Sequence, residues 1–533
     1  MDTQVIIVGA GPVGLTLAID LGRRGVRCIL LEQKTAPQFL PKMERCNART
    51  MEIYRRMGIV EKIRDAGFPR DCPMDVFIVT SLIEPPLLHL LYPSVAQAQA
   101  EIAARNDGTL PREPYQLISQ YTLEPLLKSV AESMPNVDVR YGCEFIACEQ
   151  DGGSVRARVR NSDGSTANLT AQYLVGCDGG SSAVRRQLGI KLQGEANLMQ
   201  FRQALYRCDD LFARIPIGKG RHYHVADAQA TFLIVQDSTR HFTLHSVVDS
   251  DSDMKAMFEQ TVAMPVEYEM LSVGQWRQNL LVADNYSKDR IFLAGDAIHL
   301  MIPTGGLGMN SGVGDAIDLS WKLAATLHGW GGPGLLASYE IERRQIGIRN
   351  VEASRQASRG RRAWRAAYRP NIRDQTPEGT ETRANLTRIA DVEQRKSNEM
   401  IGAELGYRYR DSPIICQEPG EGPTDNFMKY VPTTCPGARL PHLWLADGAA
   451  LHDRIGDGYT LLRRARAQAN TTSLEQSFIA LGAPLTILAL DDERARDLYG
   501  YDLLLLRPDL HVVWRGNRLP DDPAKLAAIA TGH

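Results

Sequence analysis

Residues 4–14 read Gln-Val-Ile-Ile-Val-Gly-Ala-Gly-Pro-Val-Gly, and this stretch decides the fold. A short β-branched run stopped by Gly9 is the pattern of a strand buried on both faces of a parallel sheet. Residues 12–24 then set Val13, Leu17, Ile19 and Leu21 among small residues, which predicts a helix ending at Gly25. A second apolar strand at 26–31, followed by Glu32 and Gln33, completes a βαβ unit. Each glycine has its own task. Gly9 permits the tight turn, Gly11 lets backbone approach a pyrophosphate, and Gly14 allows the helix to pack closely on the strand. Pro12 opens a helix whose free N–H groups attract phosphate, and Glu32 can accept hydrogen bonds from a ribose diol. The unit predicts dinucleotide binding.

Outward from it, the chain runs to 533 residues, too long for one core, so two or three domains are expected. With 44% hydrophobic and 23% charged residues it is an ordinary globular composition, which excludes wholesale disorder and fibrous classes. Lys plus Arg (61) nearly balances Asp plus Glu (63), so nothing points to nucleic acid as a partner. The nine cysteines form no C-x-x-C pair, and no basic leader precedes Val5. Free thiols in the cytoplasm are therefore expected. No apolar run reaches the roughly 18 residues of a membrane span, so no membrane partner is expected. No His/Cys cluster has metal-ligand spacing, so no metal is expected.

Alternation over 137–175, around the Asp163-Gly164 turn, predicts antiparallel strands. Alternation returns over 200–250 and predicts a sheet with one face solvated or lining a pocket. A buried strand is expected at 290–295 and a helix at 311–328. The Arg-rich stretch 355–365 reads as a solvated helix face. The Pro/Gly cluster at 413–438 marks a linker.

Two further segments carry chemistry. Residues 174–185 read Leu-Val-Gly-Cys-Asp-Gly-Gly-Ser-Ser-Ala-Val-Arg. Residues 290–310 read Arg-Ile-Phe-Leu-Ala-Gly-Asp-Ala-Ile-His-Leu-Met-Ile-Pro-Thr-Gly-Gly-Leu-Gly-Met-Asn. In the second, Asp296 at a strand end can bind a ribityl hydroxyl, and Pro303 would hold backbone rigidly against a ring. The glycine loop ahead of the following helix could stabilise negative charge on a reduced flavin.

Together the three segments resemble the group A flavoprotein aromatic hydroxylases, the family of para-hydroxybenzoate and phenol hydroxylases. Its motifs match at Gly9 to Gly14, at Asp178, Gly179, Ser182 and Arg185, and at Gly295, Asp296, His299, Pro303, Gly305, Gly306, Gly308 and Asn310, with Met309 between the last two. The resemblance implies FAD as cofactor, approached also by Arg45 and Gln120, with NADPH or NADH as a transient co-substrate. It implies O2 as oxidant, an aromatic small molecule as substrate and a homodimer as the assembly. The C-terminal unit is similar to the thioredoxin-like domain of the phenol and polyketide hydroxylases, without the redox cysteines. The expected fold is α/β: a Rossmann-like FAD-binding domain, an interleaved α+β substrate domain with a largely antiparallel sheet, and a thioredoxin-like domain. The expected boundaries are 1–75, 112–190 and 284–365 for the FAD-binding parts and 76–111 and 191–283 for the substrate domain. A helical segment and linker cover 366–415, and the C-terminal domain covers 416–533.

The activity so implied is hydroxylation of a phenolic or polycyclic arene through a flavin C4a-hydroperoxide. An epoxidase or Baeyer–Villiger oxygenase, and a reductase that leaves O2 alone, are the rivals on the same fold. A phenolic substrate needs a base or acceptor near its hydroxyl. His222 and His224 share one strand face with Tyr223 on the other, and with His245 they are the candidates, alongside Pro303 at the flavin. Arg221 is the candidate anion handle, and His299 is expected to be structural.

Overall fold

The computed structural model describes residues 1–420, 422–464 and 470–533. Strand Val5–Val8 pairs in parallel with Cys28–Glu32 on one side and Tyr173–Gly176 on the other. Ile291–Leu293 and Val137–Tyr141 extend the sheet in the same sense, and Ser287–Lys288 closes one edge antiparallel. Val5, Ile6 and Ile7 are fully buried, as a strand with apolar residues on both faces must be. Helix Pro12–Arg23 crosses over from the first strand to the second and packs against helix Gly308–Leu327.

The stretch 137–175 divides in a way its alternation does not disclose. Cys143–Gln150, Val155–Asn161 and Thr166–Ala171 make the expected antiparallel sheet. The strands at either end, Val137–Tyr141 and Tyr173–Gly176, join the parallel sheet instead. Periodicity fixes which side chains share a face, not which sheet a short strand joins.

A second, seven-stranded sheet runs in the order 269–277, 200–207, 241–246, 232–235, 222–225, 76–79, 88–90. All its pairings are antiparallel except that of 222–225 with 76–79. Period-two alternation gives it two unlike faces. Phe77, Tyr206, Tyr223, Leu233, Phe242 and Leu244 cover an apolar core with helix Asp253–Val262. The opposite face carries Phe201, Gln203, His222, Phe232, Ile234, Thr243 and His245, and it lines a cavity.

The C-terminal unit has strands 485–490, 459–464, 503–506 and 512–516 in that spatial order, the first pair parallel and the others antiparallel. With helices Thr472–Ala480, Glu493–Tyr499 and Pro523–Thr531 this is the thioredoxin-like βαβαββα arrangement. It is not a loose appendage. Trp321, Ala325 and Leu335 of the first domain share its core with Tyr459, Leu461, Phe478 and Leu526. Fully buried Arg507 donates to Glu342 (2.5 Å), Asp318 (2.8 Å) and Asp509 (2.6 Å), and Lys322 reaches Asp318 and Glu342 from the other side. Arg439 pairs with Glu52 in the same manner. Among the described residues no helix is long and apolar enough to cross a membrane.

Candidate active site

One cavity of about 1110 Å³ lies between the carboxyl edge of the parallel sheet and the ligand face of the antiparallel one. At its first end the glycine turn behaves as its spacing requires. Gly9 has φ +104°, and a Cβ there would meet Cys177 O at 2.5 Å. A Cβ on Gly14 would meet Gly9 O at 2.0 Å, whereas one on Gly11 would find its nearest neighbour, Glu124 Oε1, at 4.0 Å. Gly14 therefore serves packing and does not line the cavity, while Gly11 leaves room above the turn. Helix Pro12–Arg23 has no side-chain cap and no acidic residue in its first turn. Its free N–H groups are open to an anion. Glu32 accepts from Ala10 N and Lys34 N, both at 3.0 Å, which fastens the turn and leaves lone pairs over. Gln33, beside it, also lines the cavity.

Asp178 caps helix Ala183–Gln187 through one oxygen, accepting from Ala183 N (2.6 Å) and Val184 N (3.1 Å), while its buried Oδ1 has no partner. Gly179 continues the wall. Arg185 is not in the wall. It donates to Ala297 O (2.8 Å) and Gly180 O (2.9 Å), bracing two cavity segments from behind. Gly295, at φ +65°, likewise stands behind the wall, against Val13. Asp296 is exposed to the cavity, and desolvation by the protein around it pushes its carboxyl above the ordinary value.

Pro303, Gly306, Gly308, Met309 and Asn310 line the middle of the cavity, where helix Gly308–Leu327 begins, again uncapped by a side chain. Asn310 accepts from Asn47 N (2.8 Å) and donates to Arg45 O (3.1 Å) and Gly306 O (2.6 Å). Arg45 donates to Gly305 O (2.6 Å) and pairs with Glu404 (3.2 Å). Gln120 joins the wall and donates to Glu124 (2.5 Å). His299 is fully buried with Nε2 2.8 Å from Asp315, which also accepts from Gly295 N and Arg343, so it is structural.

At the far end the wall turns aromatic. Phe201 and Trp276 stack at 4.9 Å, Phe232 and His245 stack at 4.5 Å, and Trp276 Nε1 donates to His245 Nδ1 (3.1 Å). Burial pushes the His245 imidazole down to about 3, so it is a neutral ring. His222 lines the cavity with Nε2 2.7 Å from Glu44 Oε2, and its buried Nδ1 has no partner. Burial works against a charged Glu44, yet His222, Arg221 and Arg45 outweigh it and hold the carboxyl down at about 2. Burial pushes His222 below its ordinary value despite Glu44.

Three expectations need correction. Tyr223 faces the opposite side of the sheet, where its hydroxyl donates to Gly218 O (2.8 Å) and its ring stacks on Phe77. His224 shares the face of His222, but Gln394 (3.2 Å) and Trp364 close over it, so it does not reach the cavity. Arg221 is buried outside the cavity wall, whereas Arg361, Arg362 and Arg365 of the stretch expected to be solvated line it. Spacing puts these three, with Ser358, three and four residues apart on one helix face, but does not say what covers that face. Glu44 and the Phe201, Phe232 and Trp276 wall carried no motif. Among the described residues no cluster of His, Cys, Asp or Glu could hold a metal ion.

The free helix N-terminus, the open space over Gly11, the unpartnered Asp178 oxygen and the tethered Glu32 all fit a dinucleotide. Comparison with known proteins gives the same result. Residues 2–354 match the FAD binding domain family model, and residues 433–532 match the model for the C-terminal region of aromatic-ring hydroxylases. The FAD-dependent monooxygenase apdD of Emericella nidulans is 32% identical over 99% of this chain and 90% of its own. The 4-methyl-5-nitrocatechol 5-monooxygenase of a Burkholderia species is 29% identical over 98% and 96%. The rebeccamycin biosynthetic enzyme RebC, solved with reduced flavin, superposes with a TM-score of 0.90 at 32% identity, covering 99% of both chains. The protein belongs to the FAD-dependent aromatic-ring hydroxylases.

Proposed function

We propose that this enzyme hydroxylates a flat, fused-ring phenolic arene, with NADPH or NADH as the electron donor. The observation that carries the reading is the continuity of one cavity from the Gly9–Pro12 turn to the Phe201, Phe232, His245 and Trp276 wall. Its volume exceeds the roughly 300–1,000 Å³ of a site for one small molecule, which supports a cofactor and a substrate side by side. Bound FAD supplies electron transfer from the nicotinamide and activation of O2. Gly9, Gly11, Pro12, Glu32, Gln33 and Asp178 would hold its dinucleotide end. Asp296, Pro303, Gly306, Gly308, Met309, Asn310, Arg45 and Gln120 would hold its ring and ribityl chain.

The chain's remaining work is to place the arene and move one proton. The aromatic wall offers stacking surface, which favours rings over flexible chains. Neutral His222 donates from Nε2 to Glu44, and Nδ1 keeps a lone pair that can accept from a phenol. The nine unpaired cysteines support a reducing, cytoplasmic setting. A homodimer is the proposed assembly, and sedimentation of the holoenzyme tests it.

The test of activity is NADPH and NADH oxidation by the yellow protein, with O2 uptake and H2O2 followed across phenols, hydroxybenzoates and hydroxylated polycyclic arenes. Fast oxidation with little peroxide for the fused-ring phenols is expected. Oxidation without O2 uptake would assign a reductase, and a colourless protein would remove the reading altogether.

A further inference from the structure

The long helix Pro333–Arg365 brings three guanidinium groups to the far end of the cavity, and they are not equivalent. Arg365 is engaged, donating to Val225 O (3.2 Å) and Thr231 O (3.0 Å) with Asp227 at 3.8 Å. Arg362 is exposed. Arg361 has its Cζ 5.2 Å from the centroid of the Phe232 ring, its Nε is buried without a partner, and no described carboxylate pairs with it. The charges that face it are Arg365 and Arg221, of the same sign, and Glu44, which His222 already engages. Burial, Arg365 and Arg221 weaken the guanidinium to about 9 against the opposing pull of Glu44, and it is still charged at neutral pH.

Arg361 is half-buried, so its cation has lost part of its hydration without gaining a counter-ion, and the missing partner has an obvious place, the cavity itself. The dinucleotide phosphates have their own uncapped helix at Pro12–Arg23. We propose that Arg361 is the specificity-determining residue of the substrate end, and that the substrate is a fused-ring arene bearing a carboxylate, which Arg361 pairs with beside Phe232. A planar guanidinium matches a carboxylate with two parallel hydrogen bonds while keeping its face on the ring. The proposal rests on the hydroxylase reading and narrows its substrate.

The test uses the holoenzyme and two probes of one shape, anthracene-2-carboxylic acid and its primary carboxamide. Each is titrated while the bound-flavin spectrum is followed. The acid should bind about 10–100-fold more tightly, as expected of a charge-assisted pair. Arg361→Gln should bring the two probes to within about threefold of each other, while Arg361→Lys should keep a preference for the acid. Both variants should stay yellow, which shows that they are folded. An amide that binds as tightly as the acid to the unaltered enzyme overturns the proposal and leaves the hydroxylase reading standing. An Arg361→Gln protein with a raised KM for NADPH and an unchanged acid-to-amide ratio overturns it too, and assigns the cation to the nicotinamide. If neither probe perturbs the flavin, the proposal and the fused-ring reading fall together.

Discussion

Glu44 Oε2 lies 2.7 Å from His222 Nε2, joining the loop ahead of Arg45 to the strand His222–Val225 across the cavity wall. The loop carrying Glu44 is itself held by Asn310 at the start of the flavin-end helix, so the pair couples the cofactor's surroundings to the substrate's. Replacing Glu44 by Gln removes the charge that orients the imidazole. Turnover of a phenolic substrate at neutral pH should fall about 100-fold with FAD content unchanged. The loss should shrink as pH rises toward the pKa of the phenol itself, which a kcat profile from pH 6 to 10 would read. An unaltered kcat at neutral pH would remove the pair from the proton's path.

Gly11 and Gly14 differ by only three positions and should fail differently. A methyl on Gly14 collides with Gly9 O, so Gly14→Ala should disturb the apoprotein, lowering its melting temperature by several degrees. A methyl on Gly11 meets nothing closer than Glu124 Oε1 at 4.0 Å, so Gly11→Ala should melt as the unaltered apoprotein does and lose FAD affinity by tenfold or more, about 1.4 kcal/mol. Calorimetry of the two apoproteins with FAD titration separates the cases.

Arg507→Met should be the most damaging single change in the C-terminal domain. It strips Asp318, Glu342 and Asp509 of their shared cation inside the protein. Breaking one side of such a buried cluster costs about 3–5 kcal/mol. Denaturant unfolding followed by flavin fluorescence should show the FAD-binding domain destabilised as well, because two of the three carboxylates belong to it and are left to share Lys322. A loss confined to the C-terminal domain would show that the units unfold independently.

Acid should destabilise the enzyme earlier than its near-neutral charge suggests. Burial holds His245 down to about 3, His442 to about 4 and His511 to about 4, and it lowers His224 and His452 as well. In the unfolded chain these imidazoles take up protons near 6.5, while in the folded state they do not until well below. The unfolded state therefore binds more protons between about pH 6.5 and 4, and stability falls as pH falls through that window. Each such group contributes about 1.4 kcal/mol per pH unit there. Melting temperatures at pH 7.5, 6.5, 5.5 and 4.5 should drop slightly across the first step and steeply across the next two.

The cofactor end was legible because its requirements are local. A turn at Gly9, an approach at Gly11, a close packing at Gly14 and an acid at Glu32 are all set within one βαβ unit, and each leaves a fixed residue type at a fixed spacing. The substrate end is assembled from strands whose order, 269–277 beside 200–207 beside 241–246, no local pattern encodes. Alternation showed that His222 and Tyr223 face opposite ways, but only the second sheet and helix Asp253–Val262 decide which face is core. Arg361 was invisible for the same reason. A guanidinium on a polar helix reads as solvated until a sheet closes against it.

The cavity wall draws on residues from Val8 to Ala366, and the ion pairs of Arg439 and Arg507 lie further along still. A ribosome must therefore release more than two-thirds of the chain before the complete cavity can exist, and nearly all of it before those ion pairs can form. The glycine turn leaves the tunnel first yet has to wait for its partners. Cofactor capture thus comes late in the chain's synthesis, long after the glycine turn has formed, and flavin scarcity would leave cells holding apoprotein.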